Sequence, residues 1–166
     1  MHWLVDGYNV IRRAPELAAR ERESLQAGRE ALCRLLSTAA RLSGDRFTVV
    51  FDGDRGGGSL PGGLGVHVVF SSNRESADQL LARRATAGVT VVSSDREVRQ
   101  TASRAGAITV TADDFLARLR RAAPAGIPDK DDEEPVGPRD KKGNPRRLPK
   151  KARAAVRALR RLGPRR

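Results

Sequence analysis

The stretch His2-Trp3-Leu4-Val5-Asp6-Gly7-Tyr8-Asn9-Val10-Ile11 is an apolar run that ends abruptly in an acid, a glycine and a carboxamide. Such a run reads as a buried strand that delivers polar groups to its end. In an open α/β sheet the carboxyl ends of parallel strands border the ligand-binding crevice, so Asp6 is a site candidate. The design recurs. Arg46-Phe47-Thr48-Val49-Val50-Phe51-Asp52 is rich in β-branched and aromatic residues and ends in an acid, and the run from Val89 to Val92 leads into Ser93-Ser94-Asp95.

Helical patterns separate these runs. Pro15 begins a short helical piece, and Leu25, Leu32, Leu35, Leu36, Ala39 and Leu42 then recur at helical spacing up to Gly44, a C-terminal stop. Val66-His67-Val68-Val69-Phe70 reads as a third strand, and Ser71, Ser72 and Asn73 are cap-type residues. Glu75 to Ala82 follows as a helix with Asp78 in its first turns. A polar helix over 96–104, a short strand over 108–110 and a helix over 111–119 complete the alternation. The β-α order predicts a mainly parallel sheet with helices on both faces. Residues 53–65, with seven glycines and a proline, predict a loop beside the site.

The chain has 166 residues, which suits one domain with a sizeable core and a short appendage. Its formal charge of +12 favours a polyanionic partner. Residues 1–126 hold 18 Arg and no Lys against 14 acids, a net +4; residues 127–166 hold 14 bases against 6 acids, a net +8. The expected organisation is a domain over 1–123, a charged Pro/Gly-rich linker over 124–149 and a basic C-terminal helix over 150–166. In that helix Ala152, Ala155, Val156, Leu159 and Leu162 share one face. The single Cys33, flanked by leucines, reads as a core thiol and fits a reducing cytosol. No apolar stretch approaches the roughly 18 residues of a membrane span, so a cytoplasmic protein is expected.

Asp6, Asp52 and Asp95 each follow a strand, and Asp78 lies near a helix start, so a parallel sheet brings all four toward one crevice. Crowded carboxylates are stable when a divalent cation neutralises them, and hard oxygen ligands suit Mg²⁺ or Mn²⁺. That set supports metal-assisted phosphodiester hydrolysis. Taken singly, each acid reads as a turn or cap residue, and it is the four together that favour a site. Asn9 orients a ligand or forms a turn, and Ser76 and Ser94 position water or cap helices. Thr111-Ala112-Asp113-Asp114 looks like a capping box, which leaves Asp113 and Asp114 structural. His2 and His67 lie in strands as packed residues. The glycines after Asp52 lack the Gly-Lys-Ser/Thr of a phosphate loop, and Phe51-Asp52-Gly53-Asp54 lacks the companions of an aspartyl-phosphate site.

Leu4-Val5-Asp6-Gly7-Tyr8-Asn9-Val10-Ile11, Val49-Val50-Phe51-Asp52, Glu75-Ser76-Ala77-Asp78 and Val92-Ser93-Ser94-Asp95 resemble, in order and spacing, the YacP-like branch of the NYN domains, within the PIN-like nucleases. The resemblance spans roughly residues 3–121. It implies an α/β, PIN-like/NYN three-layer fold with a mainly parallel central sheet flanked by helices, plus the basic C-terminal helix. It also implies Mg²⁺- or Mn²⁺-dependent RNA cleavage, with Asp6, Asp78 and Asp95 matching the acidic site, Asn9 the signature carboxamide and Asp52 a supporting acid. A ribosomal partner follows by analogy with family members. The 53–65 loop and the charged linker depart from the family's pattern.

The basic residues expected to meet RNA phosphates are Arg74, Arg96, Arg146, Arg147, Lys150, Lys151, Arg153 and Arg157. The alternative for the tail is a helix that docks its Ala/Leu face and leaves its charges solvated. The leading expectation is a cytoplasmic endoribonuclease. Its rivals are a non-catalytic RNA- or ribosome-binding protein that keeps the fold, and a flap-type DNA nuclease.

Overall fold

The computed structural model describes residues 1–53, 63–122 and 149–162. The opening run forms β1 (His2–Asp6), and α1 (Gly7–Arg13) begins at the next residue. Then come α2 (Pro15–Glu23), α3 (Leu25–Ser43), β2 (Arg46–Phe51) and β3 (Val66–Phe70). The second half is α4 (Ala77–Arg84), β4 (Val89–Val92), α5 (Arg96–Arg104), β5 (Ile108–Val110), α6 (Ala112–Ala122) and α7 (Lys150–Arg161). The helix expected over 111–119 therefore runs three residues further, because Arg118, Leu119 and Arg120 continue its amphipathic pattern.

The five strands are all parallel, in the order β3-β2-β1-β4-β5. The chain builds outward from β1 to one edge, then returns to the other side of β1 and builds outward again. The order reverses between β1 and β4, and ligands bind at such a switch point in open parallel sheets.

Alternation along the strands feeds two cores. Trp3 and Val5, Phe47, Val49 and Phe51, and Val92 face α1, α2, α3, α6 and α7; Leu4, Val50 and Val91 face α4 and α5. Helices on both faces make the three layers that a strand buried on both sides requires. Trp3 sits at the centre of the larger core, with its ring centroid 5.4 Å from Phe115 and 6.3 Å from Phe47. Its indole N–H donates to Asp45 at 2.9 Å, and the Met1 ammonium pairs with the same buried carboxylate. Gly44 ends α3 at φ 69°, a left-handed cap that costs glycine little.

Two expectations from sequence change in detail. The buried arc of α7 centres on Ala155, Ala158, Leu159 and Leu162, while Val156 is 39% exposed, because Ala158 is the residue that meets the core. His67 is exposed on the edge strand, although His2 is half-buried and its Nε2 meets Thr48 Oγ1 at 2.9 Å. Cys33 is a buried thiol pushed up to about 11 by burial, with Glu30 adding to the effect and Arg34 opposing it, in keeping with a core role. Residues 54–62 of the glycine-rich loop, and all but Pro149 of the linker expected over 124–149, lie outside the described residues.

Arg118 ties α7 down by donating from Nε to the Leu159 carbonyl at 2.9 Å and from Nη2 to the Arg160 carbonyl at 3.2 Å. Leu162 is 1% exposed, so Leu162→Ala is expected to cost about 2–4 kcal/mol of stability. Urea unfolding with an unchanged m-value checks this; a loss below about 0.5 kcal/mol would mean α7 is not part of the cooperative unit.

Candidate active site

The carboxyl ends of β1 and β4 meet at the switch point, and hydrogen bonds join them there. Asp6 caps α1, its Oδ1 accepting from the Asn9 N–H at 3.2 Å. Its Oδ2 accepts from Ser93 Oγ at 2.9 Å, across the sheet. Ser93, fully buried, also takes the Asp95 N–H at 3.0 Å. The Asn9 side-chain oxygen accepts the Ser94 N–H at 2.8 Å. The turn after β4 is thus held to the first turn of α1, which fixes Asp6 and Asn9.

Gly7 makes that turn possible. A Cβ there would lie 2.3 Å from Cε1 of the buried Phe51 ring. Only a bare α-carbon lets α1 start this close to β2.

The remaining acids come from separate elements. Asp52 follows β2, where Ser71 Oγ donates to its Oδ1 at 2.6 Å and takes the Gly53 N–H at 2.9 Å. Asp95 caps α5, its Oδ1 accepting the N–H groups of Glu97 at 2.7 Å and Val98 at 3.1 Å. Asp78 stands in the first turn of α4, behind a capping box of Ser76 and Gln79, and among the described residues its carboxylate accepts no hydrogen bond. Asp6, Asn9, Asp52, Asp78 and Asp95 all line one open cleft of about 790 Å³.

Their proximity is electrostatic. Burial pushes the Asp6 carboxyl above the usual carboxylate range; the bonds from Ser93 and Asn9 oppose this, and the charges of Asp78 and Asp95 reinforce it. Asp78 is raised by burial first, then by Asp95, Asp52 and Glu97. Among the described residues no three His, Cys, Asp or Glu side chains stand close enough to enclose a metal ion. The acids surround a shared space without forming a closed cage.

The other candidate residues lie elsewhere. Arg74 and Arg96 are exposed and do not line the cleft. Lys150, Lys151, Arg153 and Arg157 are exposed on α7, with Lys151 Nζ donating to Ser103 Oγ at 2.6 Å. Arg146 and Arg147 lie outside the described residues. Thr111 and Asp114 cap α6 reciprocally, at 2.7 and 3.1 Å, while Asp113 takes Ser94 Oγ at 3.2 Å at the margin of the site.

A family model, the YacP-like NYN domain, matches residues 3–161. The chain belongs to the YacP-like NYN domain family. Two crystal structures of Rae1 (YacP) from Bacillus subtilis are similar in fold. One, of a mutant with a single tryptophan-to-leucine substitution, is 25% identical, with a TM-score of 0.62 over 73% of this chain and 75% of that one. The other is 26% identical, with a TM-score of 0.60 over 73% and 74%. No curated protein sequence matches the chain. Family membership indicates a nuclease-type, RNA-processing domain, and NYN and PIN-like nucleases generally use divalent metals.

This NYN domain also has cleft residues that sequence reasoning missed: Tyr8, Arg12, Arg13, Gln26 and Arg29. Ser93 and Ser71, which hold Asp6 and Asp52, were missed as well. Arg29 alone left a signal, as a charge at an inward position between Leu25 and Leu32.

Two outcomes follow from the packing and the charges. Gly7→Ala must displace the Phe51 ring and is expected to cost about 1–3 kcal/mol, measured by urea unfolding. For Asp6 and Asp78, the folded protein holds the proton to higher pH than the unfolded chain, so stability falls as pH rises past the ordinary carboxylate range and stays lower at neutral pH. Asparagine caps a helix as well as aspartate. Asp6→Asn and Asp78→Asn are therefore expected to melt at or above wild type at pH 7 in EDTA, with added Mn²⁺ raising the wild-type melting temperature more than theirs. Lower melting points for both variants in EDTA would contradict the electrostatic account.

Proposed function

We propose that this NYN domain is a divalent-metal-dependent endoribonuclease that hydrolyses RNA phosphodiester bonds. The observation that carries the reading is the cleft at the switch point, where Asp6, Asp78, Asp95 and Asp52 join Asn9. The donor chemistry suits Mg²⁺ or Mn²⁺, because every candidate ligand is a hard carboxylate oxygen and the open cleft leaves room for waters on the ion. Asp6, Asp78 and Asp95 would hold it, with Asp52 in support.

When bound there, the ion would acidify a water and neutralise charge on the phosphate. The protein's own groups do the rest. Ser93 and the Asn9 amide hold the Asp6 carboxylate in one orientation, so no side-chain reorganisation is needed when substrate arrives. Asn9, whose oxygen is committed to Ser94, has an NH₂ that meets no acceptor among the described residues and would donate to a phosphate oxygen. Water adds to phosphorus, the P–O3′ bond breaks, and the 3′ oxygen takes a proton, leaving 5′-phosphate and 3′-hydroxyl ends.

Single-stranded RNA incubated with Mg²⁺ or Mn²⁺ tests the reading. Asp6→Asn and Asp78→Asn are each expected to lower cleavage by at least about 100-fold while remaining folded by circular dichroism. Wild-type rates in both variants would defeat the assignment.

A ribosomal setting draws support from the basic outer face of α7, where Lys150, Arg153 and Arg157 are exposed away from the cleft. Replacing these three by Gln is expected to weaken salt-sensitive co-sedimentation with ribosomes and leave cleavage of a short RNA unchanged. Unaltered co-sedimentation would remove α7 from the ribosomal reading.

A further inference from the structure

Arg29 is a buried cation held by rings. It lies in the second turn of α3, is 5% exposed, and among the described residues makes no ion pair. Three rings enclose its guanidinium, whose carbon stands 5.0 Å from the Phe70 centroid, 5.5 Å from Tyr8 and 5.6 Å from Phe51. Nε donates to the Tyr8 hydroxyl at 2.9 Å, and Nη2 donates to the same oxygen. A guanidinium carries five N–H groups, so three are left over.

Nη1, which carries two of them, is not sealed into the core. Thr90 Oγ1 is the only buried side-chain polar atom without a partner among the described residues, and Arg29 forms part of the cleft wall with Asp6, Asp52 and Asp78. The free end of the guanidinium therefore reaches the cleft. Burying a charge without a counter-ion is costly, and stacking on rings offsets only part of that cost. A second guanidinium, Arg12, lies over the same Tyr8 ring at 5.5 Å and lines the same cleft. Arg12 has Glu21 at 3.9 Å, which leaves Arg29 as the cation on this ring without an anion among the described residues. The neighbouring carboxylates repel a small free anion, whereas a polymer held elsewhere in the cleft brings its charge in regardless.

We propose that Arg29, oriented by Tyr8, Phe51 and Phe70 and assisted by Arg12, is a bidentate binding site for one RNA backbone phosphate adjoining the phosphate addressed by the carboxylates. The inference rests on the nuclease reading and extends it to a second subsite. The ring box fixes the plane of the guanidinium, and a planar fork matches two phosphate oxygens in a way an ammonium does not. A residue buried for binding is expected to be dispensable for folding, since an apolar side chain of similar volume replaces a buried charge with little or no loss of stability.

The test is fluorescence anisotropy of a 5′-labelled 12-nucleotide single-stranded RNA, titrated in EDTA over a range of KCl concentrations, with urea unfolding run in parallel. Arg29→Met is expected to keep or raise the unfolding midpoint and to weaken RNA binding about tenfold. Its slope of log affinity against log salt is expected to become shallower by about 0.7, the share of one single-strand phosphate. Arg29→Lys is expected to keep the slope and bind several-fold more weakly. A folded Arg29→Met with wild-type affinity and slope overturns the subsite. If that variant does not fold, wild-type affinity in Arg29→Lys overturns it and several-fold weaker binding upholds it. A wild-type protein that neither binds nor cuts RNA strikes the nuclease reading itself, whereas cleavage by wild type with unchanged binding by Arg29→Met strikes the subsite alone.

Discussion

Like charges resist being gathered, and the carboxyl edge of this sheet gathers four of them. Asp6, Asp52 and Asp95 are delivered by strand ends and Asp78 by the start of a helix, into one open cleft in which Asp6 is half-buried. The surrounding structure manages that repulsion. Ser93 and the Asn9 amide bind Asp6, Ser71 binds Asp52, and the first amides of α5 bind Asp95. Each hydrogen bond stabilises the charged form in place. What they leave uncompensated is part of the mutual repulsion of the acids, on which the proposed metal role rests.

Helix capping and site chemistry coincide here. Asp6 and Asp95 are N-cap residues of α1 and α5, and the partial positive charge of a helix N-terminus favours a carboxylate in that position. One oxygen of Asp95 serves the cap, and the other has no such duty. The choice between a cap and a functional acid, which each residue poses when taken singly, is therefore a false one. The same geometry that begins a helix immediately after a strand also aims the acid outward at the sheet edge.

Two groups of positive charge stand in different surroundings. On α7 the charge is exposed, on a helix whose Ala158 and Leu162 anchor it to the main core. In the cleft it is carried by Arg12, Arg13 and Arg29, of which Arg29 is enclosed by rings. Exposed arginines attract polyanions over a distance and discriminate little. A boxed arginine has one orientation, so it contributes position.

The strands, the limits of α5 and the acids at strand ends were legible because each is written in neighbouring residues: an apolar run, then a carboxylate; a periodic stripe, then Gly44. The helix α1 (Gly7–Arg13) was not, because Val10 and Ile11 continue the apolar run of β1, and α4 begins two residues later than Glu75. The roles of Ser93, Ser71, Tyr8 and Arg29 were not legible either. Ser93 matters to Asp6 because the reversal of strand order sets β4 beside β1, 87 positions away along the chain. Arg29 matters to the cleft because Gly7 lets the Phe51 ring come close, which brings Tyr8, Phe51 and Phe70 together around it. Local sequence determined the elements and which of them end in acid, since propensity, periodicity and capping act over a few residues. Tertiary structure alone decided which side chains hold those acids and where the facing cations stand, because contacts between distant segments depend on strand order and packing that no local pattern encodes.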